Sequence, residues 1–210
     1  MEILLQLLNI EIRCKDTDFQ SIVICNHVSE LDPILLTLLF NKYNVKYRFI
    51  SDERIKHWPI INTIANHYDT IYITRDGRGV EQIKQSVKQT DNICIFPEGT
   101  LYYKDMIEKS NRICDKHGVE RFTNVLSPKL SGFNCLRTIL KPNFVTDITL
   151  QYVFNDVKQF NEPLTIANLI ANPPSKIIIT VQKRRIKGNN FLMDIFRKKD
   201  IIIAKTKLLY

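Results

Sequence analysis

The stretch Ser21-Ile22-Val23-Ile24-Cys25, followed directly by Asn26-His27-Val28-Ser29-Glu30-Leu31-Asp32, indicates the fold of this chain. Its first part is short, β-branched and uncharged, which is typical of a buried strand. Its second part predicts a helix start, because Ser29 can cap a helix and Asp32 can accept from backbone donors of the first turn. His27 is therefore expected on the loop that leaves a strand, and Asp32 on the first turn of the next helix. In an open α/β sheet, ligands bind at junctions of this kind.

The spacing of His27 and Asp32 suits proton transfer. A histidine base whose ring is oriented by a carboxylate can take the proton from a hydroxyl group. The same spacing also arises where the aspartate is only a helix cap and the histidine is a hydrogen-bonded turn residue. The pair alone is compatible with both interpretations, and residues elsewhere in the chain are needed to distinguish them.

Strand and helix signals alternate along the chain. Short apolar or alternating runs predict strands, and apolar residues three and four apart predict helices. The predicted strands cover 21–25, 45–50, 70–74, 93–96, 144–154 and 176–186, with an extended segment at 124–126; the predicted helices cover 33–40, 80–89, 104–117 and about 190–208, with a helical turn near Trp58. This order predicts an α/β fold with one largely parallel or mixed sheet flanked by helices. The two late strands have no predicted helix between them, which predicts a partly antiparallel edge.

The length of 210 residues fits a single domain. Residues 1–18 are expected to form an N-terminal extension, whose apolar beginning either packs on the domain or dips into a membrane interface. Residues 187–210 are expected to form a basic C-terminal helix with a positive patch at Arg197-Lys198-Lys199. We recognise neither a bilayer-spanning segment nor a signal peptide, so the expected location is peripheral, on the cytoplasmic side of a membrane.

The formal net charge of +8 implies an anionic partner. Anionic lipid surfaces and nucleic acid both meet that requirement. The sequence carries no ribonucleoprotein, zinc-finger or helix-turn-helix pattern, so no specific nucleic acid is expected. The five cysteines form no C-x-x-C pair, which predicts a reducing compartment without structural disulfides. No bound metal or cofactor is expected.

Three further stretches place polar residues after predicted strands. Arg75 follows one strand, and its guanidinium can hold a phosphate group bidentately. Glu98, Gly99 and Thr100 follow the next, where a glycine lets the backbone approach a ligand closely. Lys129 follows the extended segment and can serve a phosphate or stay on the surface. Each stretch, taken singly, is also compatible with an ordinary turn.

Together these blocks resemble the lysophospholipid and glycerol-phosphate acyltransferase family. The first block of that family, N-H-x-S-x-x-D, is matched by Asn26, His27, Ser29 and Asp32. The second block is matched by Tyr72, Ile73 and Arg75. The third block, F-P-E-G-T, is matched by Phe96 to Thr100, and the fourth block by Pro128. The wording from Val125 to Phe133, V-L-S-P-K-L-S-G-F, is similar to the lysocardiolipin and lysophosphatidylglycerol branch. The resemblance covers roughly residues 20–200.

Two positions depart from the family pattern. The usual glycine at the start of the second block is Asp69, and the arginine that often follows the third block is Leu101. The second departure removes one candidate contact to phosphate. The long transmembrane segments that many members of the branch carry are also not recognisable in this sequence.

The resemblance implies transfer of an acyl group from acyl-CoA to a free hydroxyl of lysophosphatidic acid or another anionic lysophospholipid. In that function His27 is the general base and Asp32 orients its ring. The residues expected to bind substrate are Asn26, Arg75, Glu98, Gly99, Thr100 and Lys129. A non-catalytic basic module that binds anionic lipid or nucleic acid is the alternative, and hydrolysis of the thioester by water is a third interpretation.

Overall fold

One seven-stranded sheet is the centre of the computed structural model, which describes residues 9–14, 17–57, 59–155 and 162–207. Its strands are β1 (Ile10–Cys14), β2 (Ile22–Cys25), β3 (Arg48–Asp52), β4 (Ile71–Ile73), β5 (Ile93–Ile95), β6 (Phe144–Val153) and β7 (Lys176–Arg185). Their order across the sheet is β1-β7-β6-β2-β5-β3-β4. Neighbouring strands run parallel, except that β6 and β7 pair antiparallel. The predicted α/β fold with one mixed sheet is confirmed.

Helices cover both faces of this sheet. They are α1 (Asp32–Lys42), α2 (Pro59–His67), α3 (Gly79–Ser86), α4 (Lys104–His117), α5 (Leu130–Leu140), α6 (Ile166–Ala171) and α7 (Phe191–Lys207), with a 3₁₀-helix at Glu53–His57. Because side chains alternate along a strand, β2 contributes Val23 and Cys25 to a core with α1 on one face. Ile22 and Ile24 join the core that α3, α5 and α7 form on the other face.

The direction of the strands decides where a site can form. Strands β2, β3, β4 and β5 are mutually parallel, so their carboxyl ends lie at one edge of the sheet. The loops after these strands carry His27, Arg75 and the segment Phe96–Thr100. The fold therefore brings together the polar stretches that the sequence places after separate strands.

Most predicted elements are confirmed within a few residues, but several are corrected. The predicted strand 45–50 is shifted to Arg48–Asp52, and the extended segment 124–126 is not a strand of the sheet. A short helix, α6, lies between β6 and β7, and their antiparallel pair is not at the sheet edge because β1 pairs with the far side of β7. The proposed helical turn corresponds to the 3₁₀-helix and α2, while Trp58 itself lies outside the described residues.

The two ends of the chain also differ from expectation. Strand β1, which falls in the expected N-terminal extension, belongs to the sheet because Ile10 and Ile12 pack on its core. Residues 1–8, with the proposed interfacial run, lie outside the described residues. Helix α7 is confirmed, but its expected basic patch is not, because Lys199 is fully buried and pairs with Asp147. In the described part of the chain, none of the helices is both long and apolar enough to cross a membrane.

Candidate active site

His27 and Asp32 form a hydrogen-bonded pair at the carboxyl end of β2. His27 lies on the loop after this strand, and Asp32 is the first residue of α1. The Nδ1 atom of His27 lies 2.9 Å from Oδ2 of Asp32. The histidine side chain is 20% exposed, whereas that of the aspartate is fully buried. This arrangement leaves Nε2 of the ring as the nitrogen that a substrate can reach.

The Asp32 carboxylate is held by three further donors. Its Oδ2 accepts from the backbone N–H groups of Val28 (2.6 Å) and Ser29 (2.9 Å). Its Oδ1 accepts from the hydroxyl of Tyr152 (2.7 Å), which comes from β6. Burial, and next to it the Asp32 charge, raises the pKa of Tyr152 well above its ordinary value, so this hydroxyl remains a donor. Donors of this kind fix the position of the carboxylate.

Ser29 does not cap α1 as predicted. The residue before the helix is Leu31, and no side-chain cap hydrogen bond is made there. The hydroxyl of Ser29 donates to the carbonyl oxygen of Leu164 (2.8 Å) and accepts from the N–H of Leu31 (3.1 Å). Ser29 therefore fastens the His27 loop to the segment that precedes α6.

A large cavity opens beside the histidine. Its volume is about 990 Å³, and His27 forms part of its wall. The imidazole stacks on the ring of Phe96, with the ring centroids 4.2 Å apart. Apolar side chains from several strands and helices also line the wall, among them Phe49, Ile50, Ile73, Ile83 and Phe133. The cavity thus combines polar and apolar side chains in its lining and has room for a lipid chain.

Glu98 holds two loops together beneath the site. It is 2% exposed, and it accepts from the backbone N–H of His27 and from that of Leu126 (2.8 Å). Burial raises the pKa of this carboxyl to about 8, although both hydrogen bonds favour its charged form. The described contacts of Glu98 therefore position the base and do not reach toward the open cavity.

The free energy of unfolding is expected to fall as the pH rises from about 5 to about 8. The folded protein holds the Glu98 proton more tightly than the unfolded chain, in which the pKa lies near 4.5. Glu98→Gln stays neutral at every pH and has one acceptor oxygen where glutamate has two. This variant should therefore be less stable than the wild type at pH 5, and its stability should fall less as the pH rises. Urea denaturation at several pH values measures the slope of the free energy of unfolding against pH for the wild type and for the variant. Equal slopes in the two proteins would show that Glu98 does not carry the effect.

Asn26 has a structural role in place of the expected contact with substrate. Its side chain is fully buried. The amide Nδ2 donates to the carbonyl oxygen of Leu150 (3.0 Å), and Oδ1 accepts from the Leu150 N–H (2.9 Å). Both ends of the amide are thus bound to β6. Asn26 fastens the carboxyl end of β2 to the neighbouring strand and so supports the His27 loop.

The structure brings Arg75, Gly99, Thr100 and Lys129 together on the wall of the cavity. The guanidinium of Arg75 donates to the carbonyl oxygen of Gly99 (2.8 Å). Gly99 has a φ of +69°, and a Cβ at this position would lie 3.0 Å from Nζ of Lys129. The positive φ favours glycine here, whereas the lysine side chain could move away from a Cβ. Arg75 and Lys129, with Gly99 and Thr100 beside them, therefore form a cationic wall of the cavity that His27 also lines.

Two charged side chains next to this wall, those of Asp52 and Arg54, were not predicted from the sequence. Asp52, at the end of β3, pairs with Arg75 at 2.5 Å and with Arg54 at 2.8 Å. Arg54 most strongly, and then Arg75, hold the pKa of Asp52 below its ordinary value. Burial, and next to it the charge of Arg75, lowers the pKa of Lys129. An anion bound beside Lys129 would favour its charged form.

The two departures from the family pattern have different consequences. Asp69 has a φ of +48°, in the left-handed region that favours glycine and that aspartate tolerates better than most residues. The backbone conformation is therefore kept without glycine. Leu101 lines the cavity and supplies no charge there, so the cations that can meet an anion have to come from other positions.

Comparisons with known proteins indicate the family of this chain. A family model described as Acyltransferase matches residues 12–134. The chain is 23% identical to "Probable 1-acyl-sn-glycerol-3-phosphate acyltransferase 5" of Arabidopsis thaliana, across 92% of this chain and 54% of that protein. It is 25% identical to "Lysocardiolipin acyltransferase 1" of Danio rerio, across 78% of this chain and 44% of that protein. The chain thus spans about half the length of the curated relatives it matches.

A solved structure shares the fold. It is the crystal structure of the 1-acyl-sn-glycerophosphate (LPA) acyltransferase PlsC from Thermotoga maritima, with a TM-score of 0.57 and 14% identity. The match covers 98% of this chain and 76% of that chain. The family model includes His27, Asp32, Arg75 and Lys129, and it covers more than half of the 210 residues. On this evidence, the chain belongs to the acyltransferase family.

Proposed function

We propose that this chain transfers a fatty acyl group from acyl-CoA to a free hydroxyl of a lysophospholipid. The observation that carries the proposal is the His27–Asp32 pair, in which the His27 ring lies on the wall of a cavity that is also lined by Arg75, Lys129 and many apolar side chains. The family membership and the activities for which the relatives are named support it.

The reaction follows from the roles of the pair. Nε2 of His27 takes the proton from the acceptor hydroxyl while its oxygen attacks the thioester carbonyl. The tetrahedral intermediate collapses with cleavage of the C–S bond, and the imidazolium returns the proton to the departing thiolate of CoA. Asp32 keeps the proton on Nδ1 before the reaction and stabilises the imidazolium during it. The four donors on Asp32 keep this carboxylate in place throughout.

Different residues of the cavity wall would bind the head group and the acyl chain of a lipid. Arg75 and Lys129 would hold the phosphate group, with Thr100 as a hydroxyl donor beside them. The apolar depth of the cavity would take acyl chains. The net charge of +8 supports docking on an anionic membrane surface, which we place on the cytoplasmic side. Acyl-CoA enters this scheme as a co-substrate, and no step of the scheme uses a bound cofactor or metal.

Tyr152→Phe is expected to lower kcat about threefold to tenfold and to leave KM for the acceptor nearly unchanged, because it removes one donor from Asp32 without touching the substrate. Steady-state kinetics measures both constants. The matched control is Tyr47→Phe, since the Tyr47 hydroxyl is also buried but donates to the backbone carbonyl of Gln20 (2.6 Å). A similar kcat for the two variants would contradict a positioning role for Tyr152.

The proposal is tested by acyl transfer from labelled acyl-CoA to a panel of lysophospholipids in anionic vesicles. Formation of labelled phospholipid from one or a few acceptors is the expected result, and it names the substrate. Vesicle binding without transfer to any acceptor would overturn the proposal and favour a non-catalytic lipid-binding module. Tight binding of nucleic acid without acyl transfer would favour a non-catalytic module that binds nucleic acid.

A further inference from the structure

A fully buried lysine lies beside the carboxyl end of β2. Lys199 comes from α7, and its ammonium group pairs with Asp147 of β6. The same nitrogen donates to the carbonyl oxygen of Ile148. It also lies 3.5 Å from the carbonyl oxygen of Ile24 and 3.4 Å from the hydroxyl oxygen of Thr149. One cation from the last helix thus contacts both of the neighbouring strands β2 and β6.

These contacts lie where the two strands stop pairing. The register of β2 on β6 ends at the pair Cys25 and Ile148. One residue later, the side-chain amide of Asn26 bonds to the backbone of Leu150. The contacts of Lys199 and Asn26 therefore hold the ends of β2 and β6 together beyond their last paired residues.

Both strands lead to the His27–Asp32 pair. His27 is the second residue after β2, and Tyr152 on β6 donates to Asp32. Glu98 accepts from the backbone N–H of His27 and also senses the buried cation. Burial raises the pKa of Glu98, whereas its two backbone hydrogen bonds and then the charge of Lys199 lower it. The buried cation is thus connected with the pair from the side of each strand.

The ion pair alone does not explain a lysine at this position. Taking an ammonium group and a carboxylate out of water costs free energy that their attraction roughly offsets, and apolar side chains of similar volume often give equal stability. Only a group with several N–H donors can contact oxygen atoms on two strands at once. Lys199 and Tyr152 also lie outside residues 12–134, which the family model matches, so the match assigns them no role.

We propose that Lys199 is a positioning residue for acyl transfer, which clamps the carboxyl ends of β2 and β6 and thereby keeps His27 and Asp32 at hydrogen-bonding distance. The kinetic part of this inference rests on the proposed function. In the described part of the chain, Lys199 is not among the residues that line the cavity. Its effect on the reaction therefore passes through the two strands.

Lys199→Met is expected to lower kcat about tenfold and to change KM for the acceptor less than about twofold, because the pair shifts while the cavity wall stays in place. NMR of the His27 ring nitrogens, at a pH where the ring is neutral, gives a readout that does not depend on acyl transfer. The wild type should show one tautomer with the proton on Nδ1, and Lys199→Met a mixture of two. The absence of signals in His27→Ala assigns them.

Three further variants separate positioning from stability, which urea denaturation measures. Lys198→Met makes the same change at the exposed neighbour. Ile203→Ala removes buried methyl groups from the same helix and so lowers the stability while Lys199 is kept. Lys199→Met combined with Asp147→Asn removes both buried charges and should regain part of the stability but not the lost kcat. This double variant also serves if Lys199→Met alone does not fold.

Three results would overturn the inference. Lys199→Met could show the same His27 tautomers as the wild type, its kcat could fall no more than that of Ile203→Ala, or the double variant could regain kcat together with stability. Each of these would leave Lys199 with a structural role only. A mixture of tautomers in Lys199→Met and in the double variant, but in neither control, supports the positioning role even if no acyl transfer is found in any protein.

Discussion

His27→Ala is expected to lower kcat for acyl transfer by about 10³- to 10⁴-fold, because no other group on the described cavity wall is placed to take its proton-transfer role beside Asp32. The fold should survive. The histidine side chain is partly exposed, and the contact that ties its loop to Glu98 is made by the backbone N–H, which alanine keeps. Initial rates with a saturating acceptor, together with circular dichroism, measure the two effects separately.

The control for this variant is His57→Ala. His57 is exposed on the 3₁₀-helix and does not line the cavity, so its loss should leave kcat unchanged. If His27→Ala unfolds the protein, then the role of the histidine is structural. If it folds and retains more than about a tenth of the wild-type kcat, the assignment of His27 as the base is wrong.

Asp32→Asn is expected to have the second-largest effect, with kcat lowered by about 10²- to 10⁴-fold. Asparagine keeps the shape of the side chain but has one acceptor oxygen where aspartate has two. The donors on Asp32 occupy both oxygens, so at least one of them loses its partner in the variant. The His27 ring can then adopt the wrong tautomer, and the loss of a buried acceptor should cost about 1–3 kcal/mol of the free energy of unfolding.

Both effects of Asp32→Asn can be measured on one preparation. Urea denaturation gives the free energy of unfolding, and acyl transfer under conditions that keep the variant folded gives kcat. Asp194→Asn, on an exposed part of α7, controls for the change of net charge. A variant that is less stable but transfers acyl groups at the wild-type rate would reduce Asp32 to a structural residue.

The fold and the catalytic pair could be predicted because their signals are local. The alternating and apolar runs mark β2 and β5 directly, and the spacing of His27 and Asp32 fits one strand-to-helix junction. Likewise, Arg75 follows strand β4, which the sequence predicts. The rule that parallel strands end at a common edge then brings these residues together.

The remaining parts of the site depend on contacts between distant segments. Tyr152 contacts Asp32 across 120 residues and looks in the sequence like any strand tyrosine. Lys199 reads as part of a basic surface, yet the packing of α7 buries it against Asp147. Only the register of the strands and the packing of the helices identify these residues.

The most direct test of the account measures CoA release and phospholipid formation together, with and without lysophospholipid, for the wild type and His27→Ala. We expect CoA release to require the acceptor, to equal phospholipid formation, and to be lost in the variant. Release at the same rate without an acceptor would mean that the site delivers water to the thioester. Release that depends on the acceptor but persists in His27→Ala would mean that another group is the base.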